Sequence, residues 1–270
     1  MKAACIQLDS GPDIQANLDA AATLIREAAG QGAQLIATPE ITDQVISNRA
    51  EKLDQVFSQN DHPGVPFFSA LAKELSLTLL IGSMCVRVDQ YKIANRSFLF
   101  SAGGEILATY DKIHLYDVDL PSGESHRESK VFSAGDRAVI AETQEAVIGM
   151  SVCYDLRFPH LYRDLAKAGA QILTIPAAFT VPTGRAHWEV LLRARAIETG
   201  SFVLAPAQSG GHAGARNTYG HSMIIGPWGD ILAQRSESGP GIILADLHLE
   251  EITKARDAIP ALKHDREYRI

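Results

Sequence analysis

The sequence predicts an α/β protein built as a four-layer α-β-β-α sandwich. Strand-like and helix-like segments alternate along the 270 residues, and one pattern occurs twice. In "AQLIATPE" (33–40) and "AQILTIPA" (170–177), Ala-Gln and a short apolar run end at a proline, and each segment follows an amphipathic helix stopped by glycine. Two related strand–helix halves would pack as two sheets with their helices outside. No linker or low-complexity block divides the chain, so we expect one domain over residues 1–270.

The first half is predicted to contain strand, helix, strand, helix and three further strands. "KAACIQL" (2–8) has the apolar run of a strand, and apolar residues from Ile14 to Ala28 recur at helical spacing before two glycines. Phe67, Leu71 and Leu75 lie on one face of a second predicted helix, within 65–77. The remaining strands of this half are predicted at 33–40, 78–88, 93–101 and 105–112, separated by turn signals such as Gly103-Gly104.

The second half opens with a long polar stretch. Residues 113–135 are rich in Gly, Pro, Ser and Asp and show no clear period. They predict a loop, and a loop of this length inside a compact chain is usually functional or mobile. Strands are then predicted at 145–155, 170–179, 201–210, 220–235 and 241–247; the first runs into a turn, and 220–235 turns at Pro227–Gly229. Helices are predicted at 158–168, 186–199 and 249–259.

Charge and cysteine content limit the partners and the cellular compartment that we expect for the protein. The net charge of −7 and the isoelectric point near 5.7 argue against nucleic acid or an anionic membrane as partner. The apolar run at residues 3–6 is too short for a signal peptide, and no apolar stretch approaches a membrane span. Cys5, Cys85 and Cys153 cannot all pair and show no Cys-x-x-Cys spacing. We therefore expect reduced thiols and a cytoplasmic location.

Three reactive side chains stand at the ends of separate predicted strands. Glu40 ends 33–40, Lys112 ends 105–112, and Cys153 lies where 145–155 leaves its apolar run. A carboxylate, an ammonium and a thiol together can supply a base, an oxyanion stabiliser and a nucleophile. Each also has a plainer interpretation, because cysteine is often buried in cores and charged residues often lie at solvated strand tips. Spacing alone does not bring the three strand ends together.

Other catalytic patterns fit the sequence poorly. "GMSVC" is similar to the Gly-x-Ser-x-Gly nucleophile elbow, but Cys153 replaces the last glycine and Ser151 would point to the opposite side. Arg157 follows Cys153 too closely for the cysteine-phosphatase pattern. The nine histidines include no His-x-x-x-His pair and no obvious Cys-His arrangement, so zinc catalysis is not expected.

Three motifs, in order, resemble the nitrilase (carbon–nitrogen hydrolase) superfamily: "LIATPE", "YDKIHLYDVDLP" and "GMSVCYDLRFP". The resemblance covers nearly the whole chain and ends with "YGHSMIIGPWGDILA". It implies the α-β-β-α fold, catalytic roles for Glu40, Lys112 and Cys153, and a supporting glutamate at Glu128 in "HRESKVFSAGD". It further implies amide hydrolysis through a cysteine thioester without metal or organic cofactor, and assembly into homodimers or larger homo-oligomers.

The runs "AHWEVLLRARAIE" and "YGHSM" resemble the amidase branch that acts on deaminated glutathione. The neighbouring ω-amidase branch differs mainly where this chain has "AQSGGHAGARNTYGH". N-carbamoyl-amine hydrolysis by the same residues, and a scaffold protein without catalysis, remain alternatives. Tyr154, Arg157, Phe179, Thr180 and His187 lie in or just after the strand-end segments and are predicted to bind the substrate, with Arg157 holding a carboxylate or serving as a structural partner.

Overall fold

Two six-stranded sheets form the centre of the molecule. The structure, a computed structural model, describes residues 1–45, 53, 55–121, 123–212 and 217–269. The first sheet contains β1 (Lys2–Gln7), β2 (Leu35–Ala37), β3 (Thr78–Arg87), β4 (Ile93–Phe100), β5 (Ile106–Asp111) and β16 (Gly241–Asp246). The second contains β8 (Val139–Glu142), β9 (Val147–Met150), β10 (Ile172–Thr174), β11 (Phe202–Ala205), β14 (Met223–Ile225) and β15 (Ile231–Gln234).

The sheets have matching strand orders, β16-β1-β2-β3-β4-β5 and β15-β14-β11-β10-β9-β8. In each sheet three central strands run parallel, β1-β2-β3 and β9-β10-β11, and the flanking strands are antiparallel. Two small hairpins lie outside them: β6 (Asp117–Asp119) with β7 (Ser125–Arg127), and β12 (Ser209–Gly211) with β13 (Asn217–Tyr219).

Helices cover the outer face of each sheet. They are α1 (Ile14–Gly30), α2 (Gly64–Leu75), α3 (Pro159–Lys167), α4 (Val181–Thr199) and α5 (Glu250–Ala258), with short 3₁₀ turns at Glu128–Lys130, Cys153–Arg157 and Ala261–Lys263. The side chain of Asp13 caps α1 by accepting a hydrogen bond from the Ala16 N–H at 3.0 Å. This arrangement confirms the predicted four-layer sandwich.

Strand alternation divides the apolar side chains of the first sheet between two cores. Because successive strand residues face opposite sides, Ala3 and Cys5 of β1 join the core between the sheets, whereas Ala4 and Ile6 pack with α1 and α2. The Cys5 thiol reaches across to the Met223 carbonyl of the second sheet at 3.7 Å. The sheets therefore pack directly on each other, with the strand ends of both at a common edge.

The structure differs from the sequence predictions in several elements; β8 and β13, for example, were not predicted, and α4 begins five residues before the predicted start. On α2 the fully buried aromatic residue is Phe68, and the predicted Phe67 is only partly buried, because the helix face is rotated by about one residue toward the sheet. The predicted loop at 113–135 contains the β6–β7 hairpin and the 3₁₀ turn Glu128–Lys130. Its strands are three residues each and pair only with each other, so they leave no periodic signal.

The two Pro-ended strands of the repeated pattern meet at Gly82 of β3. A Cβ atom at Gly82 would lie 2.1 Å from the Thr38 carbonyl oxygen, 2.4 Å from that of Pro39 and 2.5 Å from Pro176. The β3–β4 register shifts at this point, which is typical of a bulge. This close approach brings the chain segment that leads to Glu40 against the second sheet.

Candidate active site

The predicted residues Glu40, Lys112, Glu128 and Cys153 line one cavity of about 300 Å³. Glu40 follows β2, Lys112 follows β5, and Cys153 follows β9, so three strand ends from both sheets converge. Glu128 comes from the 3₁₀ turn after the β6–β7 hairpin. The structure thus brings together all four residues, including the one that lies in the polar 113–135 segment.

Lys112 lies between two carboxylates. Its Nζ is 3.0 Å from Glu40 Oε1, and 3.0 Å and 2.8 Å from Glu128 Oε1 and Oε2. Burial lowers the pKa of the Lys112 ammonium, but the charges of Glu128 and Glu40 raise it by more, so the pKa lies above its usual value. Lys112 is therefore a fixed positive charge at neutral pH.

Asn95, on β4, is a site residue that the sequence did not single out. Its Nδ2 donates to Glu40 Oε1 at 2.8 Å and to Glu128 Oε1 at 3.4 Å, so one amide links the two carboxylates. The backbone N–H of Tyr116 also donates to Glu128 Oε2, at 2.6 Å. A polar residue within the predicted strand "IANRSFLFS" is the only sequence signal for Asn95.

Cys153 sits on a strained turn at the cavity floor. Its φ is +52°, a left-handed conformation that non-glycine residues rarely adopt, and its N–H donates to the Pro176 carbonyl at 2.9 Å. Burial and the negative charge of Glu40 raise the pKa of the Cys153 thiol, although Lys112 lowers it, and the thiol hydrogen-bonds to Glu40. At neutral pH Cys153 is therefore a protonated thiol that lies within hydrogen-bond reach of the Glu40 carboxylate.

Ser151 takes no part in this site. Its hydroxyl is buried between the Tyr162 hydroxyl and the Thr174 carbonyl, each at 2.8 Å. This placement confirms that Ser151 points away from Cys153, and a serine-elbow site is not formed.

The predicted substrate-binding residues lie on the cavity wall with one exception. Tyr154, Arg157, Phe179 and Thr180 line the cavity. His187 is not among the lining residues; its Nδ1 lies 3.2 Å from Arg157 Nη1 instead. The guanidinium of Arg157 also lies over the rings of Tyr154 and Phe179, 5.7 Å and 5.4 Å from their centroids.

The 113–135 segment supplies a part of the wall that the sequence did not name. Tyr116, His126, Arg127 and Phe132 line the cavity alongside Glu128. The unusual length of the predicted loop was the signal that it carries function. In the run "AQSGGHAGARNTYGH", residues 213–216 lie outside the described residues.

Within the residues that the structure describes, no group of three or more His, Cys, Asp or Glu side chains is placed to hold a metal ion. None of the described helices combines the length and apolar character that a membrane crossing requires.

Similarity to known proteins extends over nearly the whole chain. Residues 2–257 match the family model described as carbon-nitrogen hydrolase. The chain is 40% identical to deaminated glutathione amidase of Synechocystis sp. (strain PCC 6803) over 97% of each chain, and 42% identical to that of Homo sapiens over 97% of this chain and 81% of the human one. The structure superposes on the C. elegans NitFhit protein with a TM-score of 0.90 at 33% identity, over 98% of this chain and 65% of that one.

Proposed function

The chain belongs to the carbon–nitrogen hydrolase family, and we propose that it is an amidase that hydrolyses deaminated glutathione through a thioester on Cys153. Deaminated glutathione is glutathione whose γ-glutamyl amine is replaced by a keto group. Cleavage of its side-chain amide releases 2-oxoglutarate and cysteinylglycine. The acyl half of this substrate carries a carboxylate next to the keto group.

The position of Arg157 is the observation that supports deaminated glutathione as the substrate. Its guanidinium is on the wall of the cavity that contains Cys153, and no carboxylate of the described residues forms an ion pair with it. The rings of Tyr154 and Phe179 hold it in place. Arginine binds carboxylates bidentately, so Arg157 suits the carboxylate of a 2-oxo acid.

The covalent step begins with proton transfer from Cys153 to Glu40. Oε1 of Glu40 already accepts hydrogen bonds from Lys112 and Asn95, so the proton goes to Oε2. The sulfur then attacks the amide carbonyl carbon, and the carbonyl π electrons move to the oxygen. The Lys112 ammonium and the N–H of Tyr154 stabilise this oxyanion, and losing one such donor typically costs about 10²–10³ in rate.

Collapse of the tetrahedral intermediate releases the amine. Glu40 gives its proton to the leaving nitrogen, the C–N bond breaks, and the acyl group remains on Cys153 as a thioester. Glu40 then removes a proton from water, and the water oxygen attacks the thioester carbonyl carbon. The C–S bond breaks, the acid product 2-oxoglutarate leaves, and the proton on Glu40 returns to the Cys153 sulfur. Glu128 holds Lys112 in place throughout, and the thiol supplies the covalent step without metal or cofactor.

The proposal extends to the organisation of the protein. We propose a single catalytic domain over residues 1–270, a cytoplasmic location and a homodimer or larger homo-oligomer. The three free buried cysteines fit a reducing compartment. Val190 and Ile197 of α4 and the nearby Trp228 are largely exposed apolar side chains, which support self-association. Sedimentation velocity of the purified protein tests the assembly.

A product assay separates the proposed reaction from its alternatives. The enzyme is incubated with deaminated glutathione, 2-oxoglutaramate or an N-carbamoyl amine, and cysteinylglycine, ammonia and carbon dioxide are measured. We expect the highest kcat/KM with deaminated glutathione and no turnover by Cys153→Ala. Preference for 2-oxoglutaramate would make the protein an ω-amidase, carbon dioxide release would indicate carbamoyl hydrolysis, and inactivity on every amide would favour the scaffold.

The role of Arg157 has its own test. Arg157→Gln should lower kcat/KM for deaminated glutathione by about 10- to 100-fold, because a charged hydrogen-bond pair contributes about 1.5–3 kcal/mol. Turnover of a neutral aliphatic amide such as propionamide, which has no carboxylate, should stay within about threefold. Equal losses on both substrates would show that Arg157 supports the site structurally.

A further inference from the structure

Asp155 is a buried carboxylate that the proposed reaction does not use. It is 0% exposed and accepts four hydrogen bonds. Oδ2 accepts from the Val152 N–H at 2.9 Å and from the Tyr110 hydroxyl at 2.7 Å. Oδ1 accepts from the backbone N–H of His114 at 3.0 Å and from its ring Nδ1 at 2.7 Å. Asp155 lies on the 3₁₀ turn beneath the cavity floor and is not among the cavity-lining residues.

The hydrogen-bond partners of Asp155 lie close in the sequence to Cys153 and Lys112. Val152 immediately precedes Cys153, and Asp155 itself lies two residues after it. Tyr110 lies two residues before Lys112, and His114 two residues after it. The two segments come from different sheets, since β5 belongs to the first and β9 to the second. Asp155 therefore ties together the two strand ends that carry the thiol and the ammonium.

The Cys153 turn needs such support. A non-glycine residue in the left-handed region persists only where its surroundings hold it, at a cost on the order of 1–3 kcal/mol. The Val152 N–H bond to Asp155 fixes the peptide that leads into this turn. On the other segment, the Tyr110 hydroxyl also accepts the N–H of Ile113, directly after Lys112, at 3.3 Å.

We propose that Asp155 is a positioning residue that, through Tyr110 and His114, sets the distance between the Cys153 sulfur and the Lys112 ammonium. Stacking of the His114 ring on Phe158, with centroids 3.5 Å apart, keeps that ring in place. The proposal rests on the catalytic roles proposed above for Cys153 and Lys112. Asp155 touches no reacting atom, and its effect is on geometry.

The test compares two buried tyrosines near Cys153. Tyr110→Phe removes a hydroxyl bonded to Asp155, whereas Tyr162→Phe removes an equally buried hydroxyl bonded to Ser151. Both variants keep the ring, but Tyr110→Phe loses two hydrogen bonds, to Asp155 and from the Ile113 N–H, whereas Tyr162→Phe loses one, so the urea midpoint should fall further in Tyr110→Phe. Tyr110→Phe should lower kcat for deaminated glutathione by about 10- to 100-fold with KM nearly unchanged, because misplacement of catalytic groups acts on the transition state. Tyr162→Phe should stay within about threefold.

A double-mutant cycle adds Asp155→Asn. An amide NH₂ at either carboxylate position would face a backbone N–H, of Val152 or His114, so this variant should lose more activity than Tyr110→Phe. Because the two residues share one hydrogen bond, the loss in the double variant should be smaller than the product of the two single losses. Equal kcat in the two tyrosine variants, or a loss confined to KM, overturns the proposal even if Asp155→Asn does not fold. Turnover by Cys153→Ala would instead refute the proposed function itself.

Discussion

At the scale of single residues, the site conserves its charge during the proposed reaction. Glu40 and Glu128 carry two negative charges, Lys112 carries one positive charge, and the thiol is neutral because burial raises its pKa. When the thiol proton moves to Glu40, the negative charge moves to the substrate oxygen. The net charge around Lys112 is unchanged, so the ammonium can stabilise both states without reorganisation.

Replacing Lys112 by alanine tests whether its charge acts in the transition state. We expect Lys112→Ala to lower kcat by several orders of magnitude and to change KM much less. The variant also leaves two buried carboxylates without their cation, which should destabilise the fold by about 3–5 kcal/mol. Urea unfolding and steady-state kinetics of the same sample measure both effects. A cost below about 0.5 kcal/mol with normal kinetics would contradict both the catalytic role and the stabilising role of Lys112.

Glu128→Gln removes one charge with little change in size. Both Glu128 oxygens accept hydrogen bonds, Oε1 from Lys112 and Asn95 and Oε2 from Lys112 and the Tyr116 N–H, so an amide NH₂ in either position faces a donor. We expect a folded protein whose acylation is severely slowed, seen as a slower pre-steady-state burst with an activated ester. The control Glu142→Gln changes an exposed glutamate on β8 and should leave the burst unchanged. A full-rate burst in Glu128→Gln would contradict the supporting role.

The residues of the site were predictable to different degrees. Glu40, Lys112 and Cys153 stand at strand ends, where a reactive side chain interrupts an apolar pattern. Glu128 lies in a polar segment, and only the family resemblance distinguishes it from an exposed charge. Asn95 was not predictable, because its function depends on a register that places its amide between two carboxylates contributed by distant segments.

At the scale of elements, the strands were easier to predict than the connections. Most strands of both sheets were predicted from apolar runs, since central parallel strands are buried on both faces. The β6–β7 hairpin was not, because the segments "DVD" and "SHR" have polar side chains and few β-forming residues. The hairpin is held by local contacts such as the 2.7 Å ion pair between Arg127 and Asp119. Such contacts leave no periodic pattern in the sequence.

Gly82 provides a prediction at this scale. Gly82→Ala places a Cβ atom into the carbonyl oxygens of Thr38 and Pro39 and into Pro176, all of which are parts of packed strand ends. We expect a loss of about 1–3 kcal/mol or more in unfolding free energy, together with lower kcat, because Glu40 directly follows Pro39.

Gly30, the last residue of α1, provides the matched control for this substitution. A Cβ atom at Gly30 meets nothing within 4 Å, so Gly30→Ala should leave activity unchanged and should not destabilise the protein. Thermal unfolding and kcat of the two variants, measured side by side, provide the comparison. Wild-type stability in Gly82→Ala would show that the two sheets can separate at this contact without cost.

At the scale of the whole molecule, burial of protonated groups makes the fold sensitive to alkaline pH. Burial raises the pKa values of Cys5, Cys153, Tyr110 and Tyr162 above their usual values, and in each case it is the largest cause. These groups keep their protons in the folded state when the unfolded chain has lost them. The folded state then binds more protons than the unfolded state, so stability is present below the unfolded pKa values and falls as pH rises above them.

We therefore expect the free energy of unfolding to decline above pH 9.0, which is the ordinary pKa of the Cys5 and Cys153 thiols. It should decline more steeply above pH 10.0, the ordinary pKa of a tyrosine hydroxyl. Each thiol approaches a limiting slope of about 1.4 kcal/mol per pH unit, so the two thiols together should lower the free energy of unfolding by about 2 kcal/mol between pH 9 and 10. Urea unfolding from pH 7 to 10.5 measures this slope. The variant Cys5→Ala removes one titrating thiol, and Cys5 lies far from Cys153 in the sequence. We expect the limiting slope to fall by about 1.4 kcal/mol per pH unit in this variant. The lost side chain also lowers the free energy of unfolding at every pH. A free energy that stays constant from pH 8 to 10 would mean that the buried thiols ionise as readily in the fold as in the unfolded chain, and the raised pKa values inferred for Cys5 and Cys153 would then be wrong.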